Sequence, residues 1–164
     1  MRTLGTPAAV VLAAVVGFGA LRAVAQDATP DPATGATTMT LVERALNVTQ
    51  VDTGDPGPTP GDLTVWGPDP LYDAANETDT GAVTQGSCQA LNADENHCLE
   101  TIVFPDGSTL AAQGVQRGAG VPATTTIVGG SGQYLGATGT LLVEASDDLS
   151  LWTKTFEITL ASTR

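Results

Sequence analysis

The stretch Thr126-Ile-Val-Gly-Gly-Ser-Gly-Gln-Tyr-Leu-Gly-Ala-Thr-Gly139 follows a β-branched run and leads into a second apolar run at 140–145. Glycine adopts positive φ and lets neighbouring backbones approach closely. The spacing Gly-x-Gly-x-x-x-Gly is not that of a dinucleotide-binding loop, and no Gly-Lys-Ser/Thr follows it, as a P-loop requires. The stretch therefore predicts a tight connection between two strands, with Tyr134 and Leu135 filling apolar space. Its structural glycines are Gly129, Gly130, Gly132, Gly136 and Gly139.

Short β-branched and apolar runs, separated by segments rich in proline and glycine, make up the rest of the chain. They predict eight strands and show no convincing helical period. Eight antiparallel strands close well into a barrel whose interior holds side chains or one small ligand. We therefore predict an all-β fold, an eight-stranded antiparallel up-and-down β-barrel, with a two-sheet sandwich as the alternative. The predicted strands are 39–52, 62–66, 82–91, 97–104, 108–116, 123–128, 140–146 and 149–160.

The N-terminal segment has the pattern of an export signal. Arg2 supplies the positive charge, residues 7–21 form an uncharged and mostly apolar run, and Ala23-Val24-Ala25 is an A-x-A cleavage site. The run is shorter than the roughly 20 residues of a membrane span. We expect cleavage and secretion, with an uncleaved anchor as the alternative. The predicted organisation is a signal peptide at 1–25, a flexible leader at 26–38 and a β-barrel domain at 39–164.

The predicted mature chain is strongly acidic. Without Arg2 and Arg22 it has four basic against eighteen acidic side chains, a net charge of −14. Such a charge repels nucleic acid and anionic membrane surfaces and favours solubility. We expect no nucleic-acid partner and no stable membrane insertion after signal cleavage, and the sequence leaves oligomer formation open.

Two cysteines, Cys88 and Cys98, flank the turn-forming segment 92–96. Export favours a disulfide, and the two flanking runs can pair antiparallel with the cysteines opposite each other. We therefore predict an intramolecular bridge between Cys88 and Cys98. A metal site is not expected, because the chain has one histidine and no C-x-x-C motif.

Alternation in the last predicted strand places Lys154 on an apolar face. The opposite face is polar, made of three threonines and Glu157. We expect the apolar face to line the interior of the barrel. Its other members are Trp152, Phe156, Ile158 and Leu160.

Arg44 has a similar position in the first predicted strand, between Val42 and Leu46. The first and last strands are neighbours in a closed barrel, so we expect Arg44 and Lys154 to be functional cations in one mostly apolar cavity. A buried cation requires a partner. The acids that can supply it are Glu100, Glu144 and Asp69. The alternative is a one-residue bulge that turns these side chains outward, or snorkelling toward a mouth.

Familiar catalytic motifs are missing from the sequence. His97 is the only histidine, and no Ser-His-Asp arrangement can be built around it. Ser131 lies in Gly-Gly-Ser-Gly, which does not match the G-x-S-x-G nucleophile elbow and has no α/β pattern around it.

The glycine-rich stretch resembles the VVGGTG loop of plant dirigent proteins and of allene oxide cyclase barrel-like proteins. The segment Val65-Trp-Gly-Pro-Asp-Pro-Leu-Tyr72 is similar to the VxDDPLT segment of dirigent proteins, and Thr80-Gly-Ala-Val-Thr-Gln-Gly86 follows it as in that family. The resemblance implies the same barrel and a cofactor-free activity, and it carries over Asp69 as a candidate catalytic acid. Plant dirigents usually have an acid after GGTG and an arginine further on. Gln133 and Thr138 stand there instead, which argues against plant dirigent activity.

Two classes of function follow for a secreted barrel of this kind. The first is a cofactor-free cyclase or isomerase, or a dirigent-like protein, whose cavity fixes a reactive conformer of a small apolar or amphipathic molecule. The second is a non-catalytic ligand-binding or structural exported barrel. Fold alone does not choose between them. Under the first, the candidate catalytic residues are Lys154, Arg44 and Asp69.

Overall fold

The computed structural model describes residues 36–118 and 121–161. The predicted signal peptide, and the leader as far as residue 35, lie outside the described residues. Within the described part no helix is long and apolar enough to cross a membrane. The elements there are β1 (Thr37–Arg44), β2 (Val48–Val51), β3 (Leu63–Tyr72), β4 (Asp79–Ala90), β5 (Glu95–Val103), β6 (Thr109–Arg117), β7 (Ala123–Ser131), a 3-10 turn (Gly132–Tyr134), β8 (Thr138–Ala145) and β9 (Leu151–Thr159).

The strands form one antiparallel sheet in the order β1-β9-β8-β7-β6-β5-β4-β3-β2. The sheet closes because β1 also pairs with β3, with Val42 opposite Tyr72 and Glu43 opposite Leu71. β2 pairs with the other end of β3, so β1 and β2 together occupy one of eight strand positions. The predicted eight-stranded antiparallel barrel is confirmed.

The predicted first strand, 39–52, is interrupted at residues 45–47. The cause is the buried carboxylate of Asp69. Its Oδ1 accepts hydrogen bonds from the backbone N–H groups of Leu46 (3.2 Å) and Asn47 (2.9 Å) and from the Asn47 side chain (2.9 Å). These bonds satisfy backbone donors outside the sheet ladder. The chain therefore leaves the ladder after β1 and rejoins it as β2.

β3 continues to Tyr72, beyond the predicted strand end at residue 66 and past Pro68 and Pro70. Its register shifts between Trp66, which pairs with Gly86, and Asp69, which pairs with Thr84. This bulge leaves Pro68 without a cross-strand partner, so the N–H that proline lacks is not needed there. The bulge also sets the side chain of Asp69 toward the interior.

The glycine-rich stretch belongs partly to a strand and partly to a turn. Gly129 and Gly130 extend β7 and pair with β6, so the predicted strand end at 128 is too early. The tight connection begins at Gly132, which has φ +60°. A Cβ at Gly132 would collide with the side chain of Ser108, so this position requires glycine.

Apolar side chains close the end of the barrel beside this turn. Tyr134 packs there against Phe104 with ring centroids 4.7 Å apart. Leu135, which was expected to fill apolar space with it, is instead 76% exposed. The buried core of this end and of the barrel centre comprises Leu41, Leu71, Ala82, Ile102, Leu110, Ala112, Ile127, Ala137, Leu141, Val143, Phe156 and Ile158.

Candidate functional site

β9 presents Lys154, Phe156 and Ile158 to the interior of the barrel, where all three are buried. Trp152 is half-buried at the end of the same face. This is the face that alternation in the sequence predicts. Leu160 lies beyond the end of β9 and is exposed, so the expectation that it shares the interior is wrong.

The side chains of β1 that face the interior are not the predicted ones. Leu41 lies directly opposite Lys154, and Glu43 lies directly opposite Trp152. Directly opposed residues of an antiparallel pair project to the same face. The inward side chains of β1 are therefore Leu41 and Glu43. Val42 is buried on the outward face, so its assignment to the cavity lining is wrong.

Arg44 lies outside the barrel and does not share a cavity with Lys154. Its guanidinium lies over the Tyr72 ring, 3.5 Å from the centroid. Its Nε and Nη2 donate hydrogen bonds to the side-chain and backbone oxygens of Asn76 at 2.9 and 2.8 Å. Leu46, the other expected interior residue, is 69% exposed. Arg44 faces outward because the register of β1 on β9 places the odd-numbered residues inward. Leu46 lies in the break between β1 and β2, outside that register.

Lys154 is the centre of a buried ion cluster. Its Nζ lies 3.1 Å from Glu43 Oε2 and forms a second ion pair and hydrogen bond with Glu100 Oε2. The side chains of all three residues are at most 4% exposed. A buried charge with a partner is retained at far lower cost than one without, so each carboxylate depends on the single ammonium between them.

The charges of this cluster shift the pKa values of its members. Burial alone lowers the pKa of Lys154, but Glu100 and Glu43 more than offset it and raise that pKa to about 12. Burial raises the pKa of Glu43, and Lys154 only partly reverses this because Glu100 and Asp69 add repulsion. Lys154 thus keeps its proton at neutral pH, and Glu43 is the member that is easier to protonate than a free carboxylate.

Among the three expected counter-charges, only Glu100 pairs with Lys154. Glu144 faces outward and is exposed. Asp69 is fully buried and faces inward, but its Oδ1 holds the backbone at Leu46 and Asn47. Its position therefore makes it a residue that shapes the β1–β2 break and adds negative charge to the interior.

The mouth of the barrel lies at the end opposite the one that Tyr134 and Phe104 close. It contains two adjoining cavities of about 90 and 220 Å³. They share Val48, Thr64, Cys88 and Trp152 in their walls. Glu43 lines the smaller cavity, so it is the member of the buried ion cluster that borders the mouth. The lining of the smaller cavity is Glu43, Ala45, Val48, Thr64, Trp66, Cys88 and Trp152.

The predicted disulfide forms part of this wall. Cys88 and Cys98 lie directly opposite each other in β4 and β5, with their Cα atoms 4.0 Å apart, and are bonded. The prediction of an intramolecular bridge across a hairpin is confirmed. Gly86 leaves room for the indole of Trp66, because a Cβ at this position would lie 2.5 Å from the indole Cζ2. The disulfide and the two tryptophans give the mouth rigid apolar walls.

Four buried polar atoms on the inner face of β3, β4 and β5 have no hydrogen-bond partner among the described residues. Buried polar groups without partners are rare in proteins, and each marks a place for water, an ion or a ligand group. Two of the four are carboxylate oxygens, which accept and cannot donate when ionised. The atoms are Trp66 Nε1, Asp69 Oδ2, Thr84 Oγ1 and Glu100 Oε1.

Sequence reasoning missed Glu43 and Trp66 as site residues. The available signal for Glu43 was its alternation with Met39 and Leu41, but a carboxylate on an otherwise apolar face argues for the opposite parity.

The glycines of the 129–139 stretch lie at the closed end of the barrel, far along β9 from Trp152. Within the residues that the structure describes, no group of three or more His, Cys, Asp or Glu side chains could hold a metal ion.

Residues 42–150 match the family described as allene oxide cyclase barrel like domain. No curated protein matches this chain.

Three solved structures show the same fold. One named pyocyanin demethylase is 25% identical, with a TM-score of 0.66, and the match covers 75% of this chain and 100% of that one. A pterocarpan synthase dirigent protein is 15% identical, with a TM-score of 0.65 and coverage of 79% and 87%. A Diels–Alderase from Streptomyces koyangensis is 17% identical, with a TM-score of 0.61 and coverage of 79% and 70%.

Proposed function

We propose a function for this chain as a member of the allene oxide cyclase barrel-like domain family, to which it belongs. Its mouth binds a small apolar or amphipathic molecule, and Glu43 exchanges a proton with that molecule. The proposal rests on the position of Glu43. Among the described residues that line the smaller cavity it alone is ionisable. Its raised pKa brings it closer to the range in which a carboxyl group works as an acid and a base.

The reaction class that suits these residues is a cofactor-free isomerisation or cyclisation. Glu43, as a carboxylate, takes a proton from one atom of the bound molecule and returns it to another atom, so that no atom is gained or lost. Lys154 is held as an ammonium by two carboxylates, which makes it a positioning residue for Glu43. The rigid walls of the mouth restrict the conformers of the bound molecule, which lowers the entropic part of the barrier.

The named structural neighbours support a small organic molecule as the ligand. Their names include a demethylase, a pterocarpan synthase and a Diels–Alderase. The reactions differ while the barrel is shared, so the reaction must be argued from the site of each protein. In this chain that site is the mouth, because apolar side chains fill the opposite end of the barrel.

A non-catalytic carrier is the second candidate function, and one observation favours it. Glu43 Oε2 is already engaged by Lys154, so Glu43 can act simply as a fixed polar contact for a carried molecule. A barrel with a purely structural role is less well supported, because the two cavities leave the mouth open.

Secretion belongs to the same proposal. The A-x-A site at Ala23-Val24-Ala25 supports export. The Cys88–Cys98 bridge fits an oxidising compartment outside the cytoplasm.

The test uses the protein's own retained ligand. Native mass spectrometry of the gently purified protein should show a bound small molecule that denaturation releases. Incubation of the protein with the released molecule should produce a compound of the same mass and a different chromatographic retention. Glu43→Gln should bind the molecule and lose the conversion, whereas the exposed Glu144→Gln should behave as the wild type. Conversion by Glu43→Gln at the wild-type rate would contradict catalysis, and a mouth without any bound molecule would contradict the proposed function as a whole.

A further inference from the structure

The interior of the barrel carries more negative than positive charge. Among residues 36–118 and 121–161, three buried carboxylates, Glu43, Glu100 and Asp69, face inward with one buried cation, Lys154. Fully ionised, these four groups have a net charge of −2. Charge in a low-dielectric interior is costly unless it is paired or hydrogen-bonded, so this excess of carboxylates favours a bound cation over a bound anion.

The other cations near these elements do not balance the charge. Arg44 projects outward onto Tyr72. Arg117 lies at the rim of the larger cavity, where it is paired with Glu95 at 2.9 Å. The rim pair is neutral in sum, so it does not offset the negative charge of the interior, which borders the mouth at Glu43.

The unpartnered atoms show the same excess of acceptors. Asp69 Oδ2 and Glu100 Oε1 are buried without a donor among residues 36–118 and 121–161. The ammonium of Lys154 bonds to one oxygen each of Glu43 and Glu100. Glu43 is the member of this cluster that lines the mouth.

Two indoles stand beside Glu43. Trp66 and Trp152 line the smaller cavity with it. Indole is the aromatic group that best attracts a cation through its π-face. Carboxylate and indoles together provide charge and an apolar contact for one ligand.

We propose that the mouth selects a small organic monocation with a flat apolar body, such as one with a quaternary or protonated ring nitrogen. The positive charge lies against Glu43 and the apolar body lies between Trp66 and Trp152. This inference rests on the proposed function of the mouth as a small-molecule site and names the class of molecule that it takes.

Binding of the cation is coupled to the titration of Glu43. Burial and the carboxylates of Glu100 and Asp69 raise the pKa of Glu43, and Lys154 opposes this shift. A cation in the mouth stabilises the ionised form, so binding releases a proton from the fraction of protein in which Glu43 is protonated. Affinity for the cation therefore rises with pH through the titration of Glu43 and then levels off.

The chain has two tryptophans, and both line the mouth. The two indole N–H signals in a ¹⁵N-correlated NMR spectrum are thus direct reporters of the site. The probes are 1-methylquinolinium, its neutral isostere 1-methylnaphthalene, and the anion 1-naphthoate, titrated near neutral pH into the wild-type protein. We expect both indole signals to shift, with affinity for the cation roughly tenfold or more above that for the neutral isostere and with the anion weakest.

The variants test which residue provides the selectivity. Glu43→Gln should bind the cation and the neutral isostere with similar affinity, and Glu144→Gln should keep the wild-type preference. Equal affinity for the cation and the neutral isostere in the wild type overturns the inference and leaves the proposed small-molecule site standing. Failure of all three probes to shift the indole signals overturns the inference and counts against the proposed site as well. The comparison of probes on the wild type needs no variant to fold.

Discussion

Lys154→Met removes the single ammonium that lies between Glu43 and Glu100. All three side chains are at most 4% exposed, so water cannot replace the lost contacts. Removing one partner from a buried ion pair typically costs about 3–5 kcal/mol of unfolding free energy. We expect a loss of that size near neutral pH.

The loss should depend on pH with a defined sign. Without Lys154, the pKa of Glu43 in the folded state rises further above its ordinary value of 4.5. A group with a raised folded-state pKa adds stability below its unfolded pKa and loses it as pH rises through the folded pKa. The deficit of Lys154→Met relative to the wild type should therefore be small near pH 4 and widen toward neutral pH.

The assay is urea unfolding of both proteins across this pH range, with Arg117→Met as the matched control. Arg117 also pairs with a glutamate, but the pair is exposed, and exposed pairs contribute little. The control should lose much less stability and show no comparable widening with pH. A Lys154→Met variant as stable as the wild type near neutral pH would refute the buried ion cluster.

Three further predictions concern other parts of the chain. Titration of the denatured, unreduced protein should find no free thiol, and reduction of Cys88–Cys98 should cost roughly 2–4 kcal/mol of stability; two titratable thiols would refute the bridge. Gly132→Val should lower stability by about 1–3 kcal/mol through its positive φ, beyond any effect of Gly118→Val, which has open space around it; equal melting temperatures would contradict this. N-terminal sequencing of secreted protein should begin at Gln26, and recovery of the intact N-terminus in membranes would disprove cleavage.

The barrel was predictable because its strands carry local signals. Proline and glycine segments separate the runs, and the turn between Cys88 and Cys98 fixes a hairpin in which they oppose each other. The inward position of Lys154 also follows from alternation, since β9 has no bulge between Trp152 and Ile158 in its pairing with β1.

The errors at Val42 and Arg44 have one origin, which is that parity in one strand depends on its register against another. Leu41 and Val42 are both apolar and both buried, so the sequence around β1 does not choose a face. The choice of Val42, Arg44 and Leu46 followed the rule that apolar residues face inward. In the folded barrel that rule yields to the pairing of Glu43 with Lys154, a contact between strands at opposite ends of the chain.

The site itself required tertiary information for the same reason. Glu43, Glu100 and Lys154 come from β1, β5 and β9, and no local spacing connects them. Asp69 was identified through the resemblance of its segment. Its hydrogen bonds at the β1–β2 break depend on the bulge in β3, which the prolines alone did not predict.

The most direct test of the proposed site is the titration of Glu43. Carboxyl ¹³C NMR of the wild-type protein, with the signal assigned by its absence in Glu43→Gln, measures the pKa of this side chain. The buried cluster predicts a pKa above 4.5 and a titration that shifts when a ligand enters the mouth. A Glu43 that titrates at or below 4.5, with no response to ligand, would contradict its role as the proton-exchanging group of the site.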